Sequence, residues 1–144
     1  MLCRRIAWLW VLIAAGRCFC AGVHEKEART ILAATGVKGG LVGGTGGLTV
    51  ALHANDRYLV QGLDIDAAKI NKARRFIRSQ GLYGRVAVPK WNGTNLPYAD
   101  NLVDLIVVSH GASVSEREIM RALAPDGVAY VKQKNGAWKK QGKP

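Results

Sequence analysis

The segment that most constrains this chain begins at Lys38 and reads KGGLVGGTGGLTVALHANDRYLVQGLD. An apolar run breaks into a glycine cluster, a short helix-like stretch follows, and a second apolar run ends on an acid. This is the order of a strand, a ligand-holding loop, a helix and a second strand with a carboxylate at its tip. Glycines let a backbone come close to a ligand, and a helix start offers free N–H groups to an anion. A carboxylate at the strand tip can accept hydrogen bonds from a ribose diol. The unit therefore points to an open α/β sheet that binds a nucleoside-containing cofactor.

The rest of the chain agrees with one such sheet. Its 144 residues are enough for one domain around one core. An apolar share of 49% and 17 glycines suit a globular α/β protein rather than a disordered one. The formal net charge is +11. The cations are spread along the chain: Arg4, Arg5 and Arg17, then Lys69, Lys72, Arg74, Arg75 and Arg78, then the tail lysines from Lys132 to Lys143. Aromatic residues are not interleaved with them in sequence, which argues against nucleic acid and for a solvated helix face with a loose tail.

Residues 1–22 read as a targeting segment or an N-terminal anchor. Arg4 and Arg5 precede the apolar run IAWLWVLIAA at 6–15, which is too short to span a bilayer. Small residues at Cys18, Cys20 and Gly22 allow cleavage after Cys20 or Gly22. Export to the periplasm or cell exterior is then expected, or membrane anchoring if the leader stays. All three cysteines fall in this segment, so no disulfide framework or zinc site is expected beyond it.

Residues 24–35 read as a helix stopped by Gly36. Strand one is placed at 39–42, the glycine loop at 43–47, a helix at 48–54, and strand two at 58–63, ending at Asp64. Asp66 is the expected N-cap of a helix over 67–80, with Ile70, Ala73 and Ile77 as its buried stripe and Gly81 after its end. Strand three is placed at 85–88. A loop over 89–101 leads to strand four at 102–108, which is apolar enough to be covered on both faces. Ser115 and Glu118 suggest a capping box for a helix over 116–123. A turn at Pro125-Asp126-Gly127 precedes strand five at 128–131, and a basic, frayed tail follows. Alternating strands and helices imply a doubly wound, mainly parallel five-stranded sheet, order 3-2-1-4-5, with helices on both faces.

Four pieces together resemble the class I, Rossmann-like S-adenosylmethionine-dependent methyltransferases, of the type 11-like kind, over about residues 28–132. GGTGGLT at 43–49 is similar to the family's glycine loop. LDID at 63–66 is similar to its acidic strand-two end. NGTNLPYADNLVDLIVVS at 92–109 and EIMRALAPDGVAYV at 118–131 are similar to its later signatures. The resemblance implies S-adenosylmethionine as cofactor. Gly43, Gly44, Thr45 and Gly46 would lie by its methionyl part, and Asp64 would hold the ribose hydroxyls. Ile65 would lie on the adenine, Asn92 and Gly93 at the adenine edge, and Ser109 near the sulfonium. It implies methyl transfer to an unidentified acceptor, with His110 the one candidate base and no metal.

The chain departs from the family pattern at Gly40, where an acid is expected, and at Val42, where the first loop glycine is expected. It also ends before the family's last two strands. An alternative is therefore a catalytically decayed, exported domain that serves as a binding or structural module. Such a module could be the leading part of a fusion to a quinoprotein-type β-propeller. If the loop is decayed, restoring Gly40 to Asp and Val42 to Gly should raise cofactor affinity. A nicotinamide dinucleotide site fits less well, because Thr49 stands at the third glycine position of that fingerprint. The expected organisation is a leader at 1–22, a methyltransferase-like domain at 23–132 and a flexible basic tail at 133–144. The expected partner is a small-molecule cofactor rather than nucleic acid, with membrane contact only through a retained leader.

Overall fold

The computed structural model describes residues 19–45, 47–109 and 113–144. Most of the expected leader, together with Gly46 and His110, lies outside these residues. The described chain forms one six-stranded sheet of order β3-β2-β1-β4-β5-β6. The strands are β1 (Gly40–Thr45), β2 (Tyr58–Leu63), β3 (Val86–Ala87), β4 (Val103–Val108), β5 (Leu123–Lys132) and β6 (Trp138–Gly142), and the helices are α1 (Phe19–Thr35), α2 (Ala67–Ser79) and α3 (Glu116–Ala122). The first five strands run parallel, as expected, and β6 returns antiparallel to β5.

The helices form where the sequence marks their ends. Asp66 caps α2 by accepting from the amides of Ala68 at 2.8 Å and Lys69 at 3.4 Å. Gly81, at φ +68°, closes it. The Gly81 amide donates to the Arg78 carbonyl and the Leu82 amide to the Ile77 carbonyl, which is a Schellman ending. Ile70 and Ile77 are buried, so the stripe faces the sheet as expected. Ser115 caps α3 by accepting from the Glu118 amide, but the Glu118 side chain does not return to complete the box. It reaches another partner described below.

Two cores flank the sheet. Ala28 and Ile31 of α1, Leu48 and Leu52, and Ile70 and Ile77 of α2 pack with Val42, Val60, Val107 and Val128 on one face. Ile119 and Ala122 of α3 pack with Trp91, Leu96 and Tyr98, against Leu63, Ile106, Val108 and Ala129, on the other. Alternation along β1 assigns Val42 and Gly44 to the first face and Gly43 to the second.

Besides the earlier starts of α1 at Phe19 and of β5 at Leu123, which takes in the 125–127 stretch expected as a turn, three local expectations change. The glycine loop is shorter than read, because β1 runs on through Gly43, Gly44 and Thr45. No α-helix follows it. Residues 47–52 are a single turn closed by the Leu52 amide on the Leu48 carbonyl at 3.0 Å, and the chain is back in a strand by Tyr58. A run this short, with β-branched Thr49 and Val50, cannot recover the cost of helix nucleation. The third change concerns the tail, which is not frayed. Residues 138–142 supply a sixth strand where five were expected.

Three basic residues of that stretch, Lys132, Lys140 and Lys143, have specific partners. Trp138 stacks on Tyr130 of β5 with ring centroids 5.0 Å apart, and Lys132 lies 5.2 Å over the Trp138 ring. Lys143 donates to the carbonyls of Met120 at 2.6 Å and Leu123 at 2.9 Å, at the end of α3, and Lys140 donates to the Ala34 carbonyl at the end of α1. Each ammonium meets the negative end of a helix. Trp138→Ala is therefore expected to lower unfolding free energy by about 1–2 kcal/mol, because it removes a half-buried ring and its stack. Urea titration measures it, and an unchanged midpoint would mean that β6 contributes nothing to stability.

Candidate functional site

The parallel strands finish at one edge of the sheet, and strand order reverses there between β1 and β4. In open α/β sheets a crevice forms at that reversal. Pairing brings the ends together: Thr45 lies opposite Leu63 of β2 and Val108 of β4. Thr45, Asp64 and Ser109 thus end three adjacent strands.

Thr45 and Ser109 bind each other directly. The Ser109 amide donates to Thr45 Oγ1 at 3.1 Å, and Ser109 Oγ donates to the Thr45 carbonyl. The two hydroxyls are 3.4 Å apart. This closes the end of the β1–β4 seam and gives the crevice a polar floor. Asp64 is half-buried. Its Oδ1 accepts from the Asp66 amide at 2.9 Å, and its carbonyl accepts from the Trp91 amide at 2.9 Å, so backbone and side chain are both held. Among the described residues no cation pairs with the Asp64 carboxylate. It lines a cleft of about 550 Å³ with Gly47, Thr49, Val50, Leu63 and Val88, and with His24 from α1 and Lys69 and Lys72 from α2.

Ile65, next to Asp64, is 61% exposed, which is unusual for an aliphatic side chain beside a cleft. Gly93 faces it: a Cβ on Gly93 would lie 3.5 Å from Ile65 Cγ2. Gly93 has φ +86°, so the loop turns there in a conformation that favours glycine. The structure thus brings together Thr45, Asp64, Ile65, Gly93 and Ser109.

Three expected contributors have neighbours of their own within the fold. Gly43 is covered by a side chain, since a Cβ there would lie 2.8 Å from Tyr98 Oη. The Tyr98 hydroxyl donates to the Gln61 carbonyl at 3.3 Å, and burial pushes its pKa up. Gly44 is backed by Leu52, 3.6 Å from the position of a Cβ. Both glycines lie in β1, and a side chain at Gly43 would collide with Tyr98. Asn92 Oδ1 accepts from the Thr94 amide at 3.0 Å, the Thr94 hydroxyl at 3.2 Å and the Asn95 amide at 3.2 Å. Its carbonyl closes the turn of its own loop instead of facing outward.

The departures at Gly40 and Val42 also change meaning. Gly40 has φ +104°, and the Asp104 carboxylate of β4 fills the space where a side chain would go, 2.1 Å from the position of a Cβ. Asp104 Oδ2 accepts from the Leu41 amide at 2.8 Å. An acid from the neighbouring strand thus takes the place of the one the sequence lacks. Val42 is fully buried in the core and blocks no approach. Restoring Gly40 to Asp is not a repair. It would set two carboxylates against each other on a left-handed backbone.

Sequence reasoning missed the group that holds the 92–100 loop. Arg121 of α3 donates to the carbonyls of Leu96 at 3.1 Å and Tyr98 at 2.8 Å and to Asp100 Oδ1 at 2.6 Å, and it pairs with Glu118. Glu118 in turn accepts from the Leu96 amide at 3.1 Å. This takes the side chain that the capping box would have used. A glutamate three residues before an arginine on a short helix is the sequence signal, but only the fold shows that both face a loop some 20 residues earlier.

The hydrogen bond from Arg121 holds the Glu118 carboxyl below its ordinary value, against a smaller opposing effect of desolvation. A lowered folded-state pKa contributes stability above the unfolded value of 4.5 and loses it as pH falls through the folded one. Glu118→Gln should therefore flatten the acid limb of a stability–pH curve below about pH 5. An acid limb as steep as in the parent would rule out this role. Gly40→Asp, alone or with Val42→Gly, is expected to lower unfolding free energy by at least about 2 kcal/mol. An unchanged thermal midpoint would show that Asp104 does not fill the site.

Comparison with known proteins places this geometry among relatives. A family described as a methyltransferase domain matches residues 41–127. The ubiquinone/menaquinone biosynthesis C-methyltransferase of Yersinia enterocolitica is 32% identical over 119 residues, covering 74% of this chain and 47% of that protein. The chain thus spans about half the length of the curated relatives it matches. A candidate S-adenosyl-L-methionine-dependent methyltransferase from Methanococcus maripaludis superposes with a TM-score of 0.69 at 25% identity, covering 77% of this chain and 55% of that one. A SAM-dependent methyltransferase from Aquifex aeolicus shares the fold with a TM-score of 0.61 at 22% identity, covering 82% and 69%. The geranyl diphosphate C-methyltransferase of Streptomyces coelicolor, solved with S-adenosyl-L-homocysteine, shares it with a TM-score of 0.67 at 17% identity, covering 77% and 46%.

Proposed function

The chain belongs to the methyltransferase domain family, and from that premise we propose that it binds S-adenosylmethionine at the carboxyl edge of its sheet and transfers the methyl group to an acceptor still to be identified. The observation that carries this reading is the half-buried Asp64 carboxylate at the tip of β2, beside an exposed Ile65.

The residues present fit the cofactor at its nucleoside end. Asp64 has one oxygen fixed by the Asp66 amide, so it can meet a ribose diol without first being ordered. Ile65 stays exposed beside Asp64, so a purine can lie against an apolar side chain there. The mutual hydrogen bonds of Thr45 and Ser109 close the seam beneath. When bound, S-adenosylmethionine would supply an electrophilic methyl group on a sulfonium. The protein's part is then to bind, orient and exclude water, which is how proximity accelerates an in-line displacement. A base is needed only where the acceptor must lose a proton, and His110, next after Ser109 in the chain, is the residue proposed for it.

A second reading is a catalytically silent, exported binding module. The covered Gly43 and the Asn92 carbonyl, engaged within its own loop, favour it. Calorimetric titration with S-adenosylmethionine separates the readings: micromolar affinity supports the enzyme, and no binding at millimolar supports the silent module. Asp64→Ala should weaken binding by about 1–3 kcal/mol, a factor of roughly 5 to 150. Asp66→Ala should instead lower stability through the lost α2 cap and leave affinity nearly unchanged. Parental affinity in the Asp64 variant would show that the cofactor sits elsewhere.

A further inference from the structure

Arg74 and Arg78 of α2 stand at i and i+4, so both leave the helix on one flank. With Tyr83 and Gln61 they line a cavity of about 490 Å³ beside β3, at the edge of the sheet. That volume falls in the range of pockets that take a small organic ligand. Ile77, Val86 and Val88 supply an apolar wall. Val88 is the one residue that this cavity shares with the Asp64 cleft, which draws Lys69, Lys72 and Phe76 from another side of α2.

The lining groups are ordered but not used up. Arg74 Nε donates to the Val88 carbonyl at 3.0 Å, which fixes the guanidinium and leaves its two terminal nitrogens as donors. Gly81 turns the chain back after α2, and the Arg78 guanidinium carbon comes to 5.5 Å from the centroid of the Tyr83 ring. The ring is still 75% exposed. Among the described residues the Gln61 side-chain amide makes no hydrogen bond, so it offers both a donor and an acceptor.

The positive charge here is not cancelled. No acid lines the cavity, and none occurs in the chain from Ala67 to Ala99. Asp66, the cap of α2, precedes Arg74 by eight residues, a rise of about 12 Å. Asp56 pairs with Arg85, the residue after the lining Gly84. Among the described residues neither Arg74 nor Arg78 meets a carboxylate.

An anion that carries a planar ring satisfies these groups together. Guanidinium forks match the oxygens of a phosphate. A base stacks on an exposed tyrosine whatever its identity, and a free amide can meet the base edge. An aliphatic anion would leave the ring without a role, and a neutral heterocycle would leave two arginines unpaired.

We infer that the cavity beside β3 is a nucleotide site, in which Arg74 and Arg78 hold a phosphate and the Tyr83 ring carries the base, whether the nucleotide is free or part of a single strand. The site is independent of the methyl-transfer reading, because it uses none of the residues assigned to the cofactor. The test is calorimetric titration of the full chain with thymidine 5′-monophosphate, which has no ribose diol for Asp64. Binding should saturate and should weaken as salt rises. Thymidine should bind at least about tenfold more weakly than its monophosphate. Arg78→Gln with Tyr83→Ala, both at exposed positions, should keep the thermal midpoint and weaken binding at least roughly tenfold. Arg74→Lys keeps the charge but loses the fork, and should weaken binding about threefold or more. Removing two cations from the β5–β6 hairpin, Lys134→Ala with Lys139→Ala, should change affinity less than about twofold. Pentathymidylate separates the two sources: tighter binding than the monophosphate assigns the site to a strand, equal binding to a free nucleotide, and either supports the inference when the double variant loses it. No saturable binding at about 10 mM would overturn it. So would equal binding of thymidine or of inorganic phosphate, or parental affinity in the Arg78, Tyr83 variant.

Discussion

The structure depends on how closely side chains can lie on the backbone of β1. Tyr98 rests on Gly43 from one face and Leu52 on Gly44 from the other, while the Asp104 carboxylate sits over Gly40. Thr49 similarly occupies the space above Gly62 of β2, where a Cβ would lie 2.2 Å from its hydroxyl oxygen. At Gly40, Gly43 and Gly62 the contact brings a layer of the fold to a distance that any larger residue would forbid. The layers then meet the central strands at their carboxyl ends, and the crevice lies just beyond.

A second constraint holds the crevice rim. The 92–100 loop is short of secondary structure, so its carbonyls need partners. Arg121 supplies donors for two of them, and Glu118 accepts from a loop amide. Trp91 Nε1 donates within the loop to the Asn95 carbonyl at 2.5 Å. A guanidinium suits this task because its donors fan out in one plane and stay charged at any working pH. Gly93 thereby keeps its place beside Ile65, in a loop held by the helix that packs on the same face of the sheet.

Charge works differently here from what composition suggests. A basic tail reads as solvated and loose, yet Lys140 and Lys143 each meet the carbonyl end of a helix, and Lys132 bridges Trp138 and Glu27. The long stems let ammonium groups reach across the sheet edge. Among the described residues, Lys69 and Lys72 of α2 have no such partners.

What the sequence determined by itself were the features set by local chemistry and period. The α2 stripe, its Asp66 cap and its Gly81 ending follow from helical spacing and φ preference, and all are present. The parallel order of the first five strands follows from alternating apolar runs and crossovers, and Asp64 at the tip of β2 follows from the strand's end. Only the tertiary structure decided what touches the glycines, because a glycine's reason lies in whatever approaches it. It turned Gly43 and Gly44 from loop to strand and let Asp104 stand in at Gly40. It made a sixth strand from residues with weak strand preference, by stacking Trp138 on Tyr130 and pairing with an edge that was otherwise open. Contacts between residues far apart in the chain leave no periodic trace in the sequence, so the packing had to be seen.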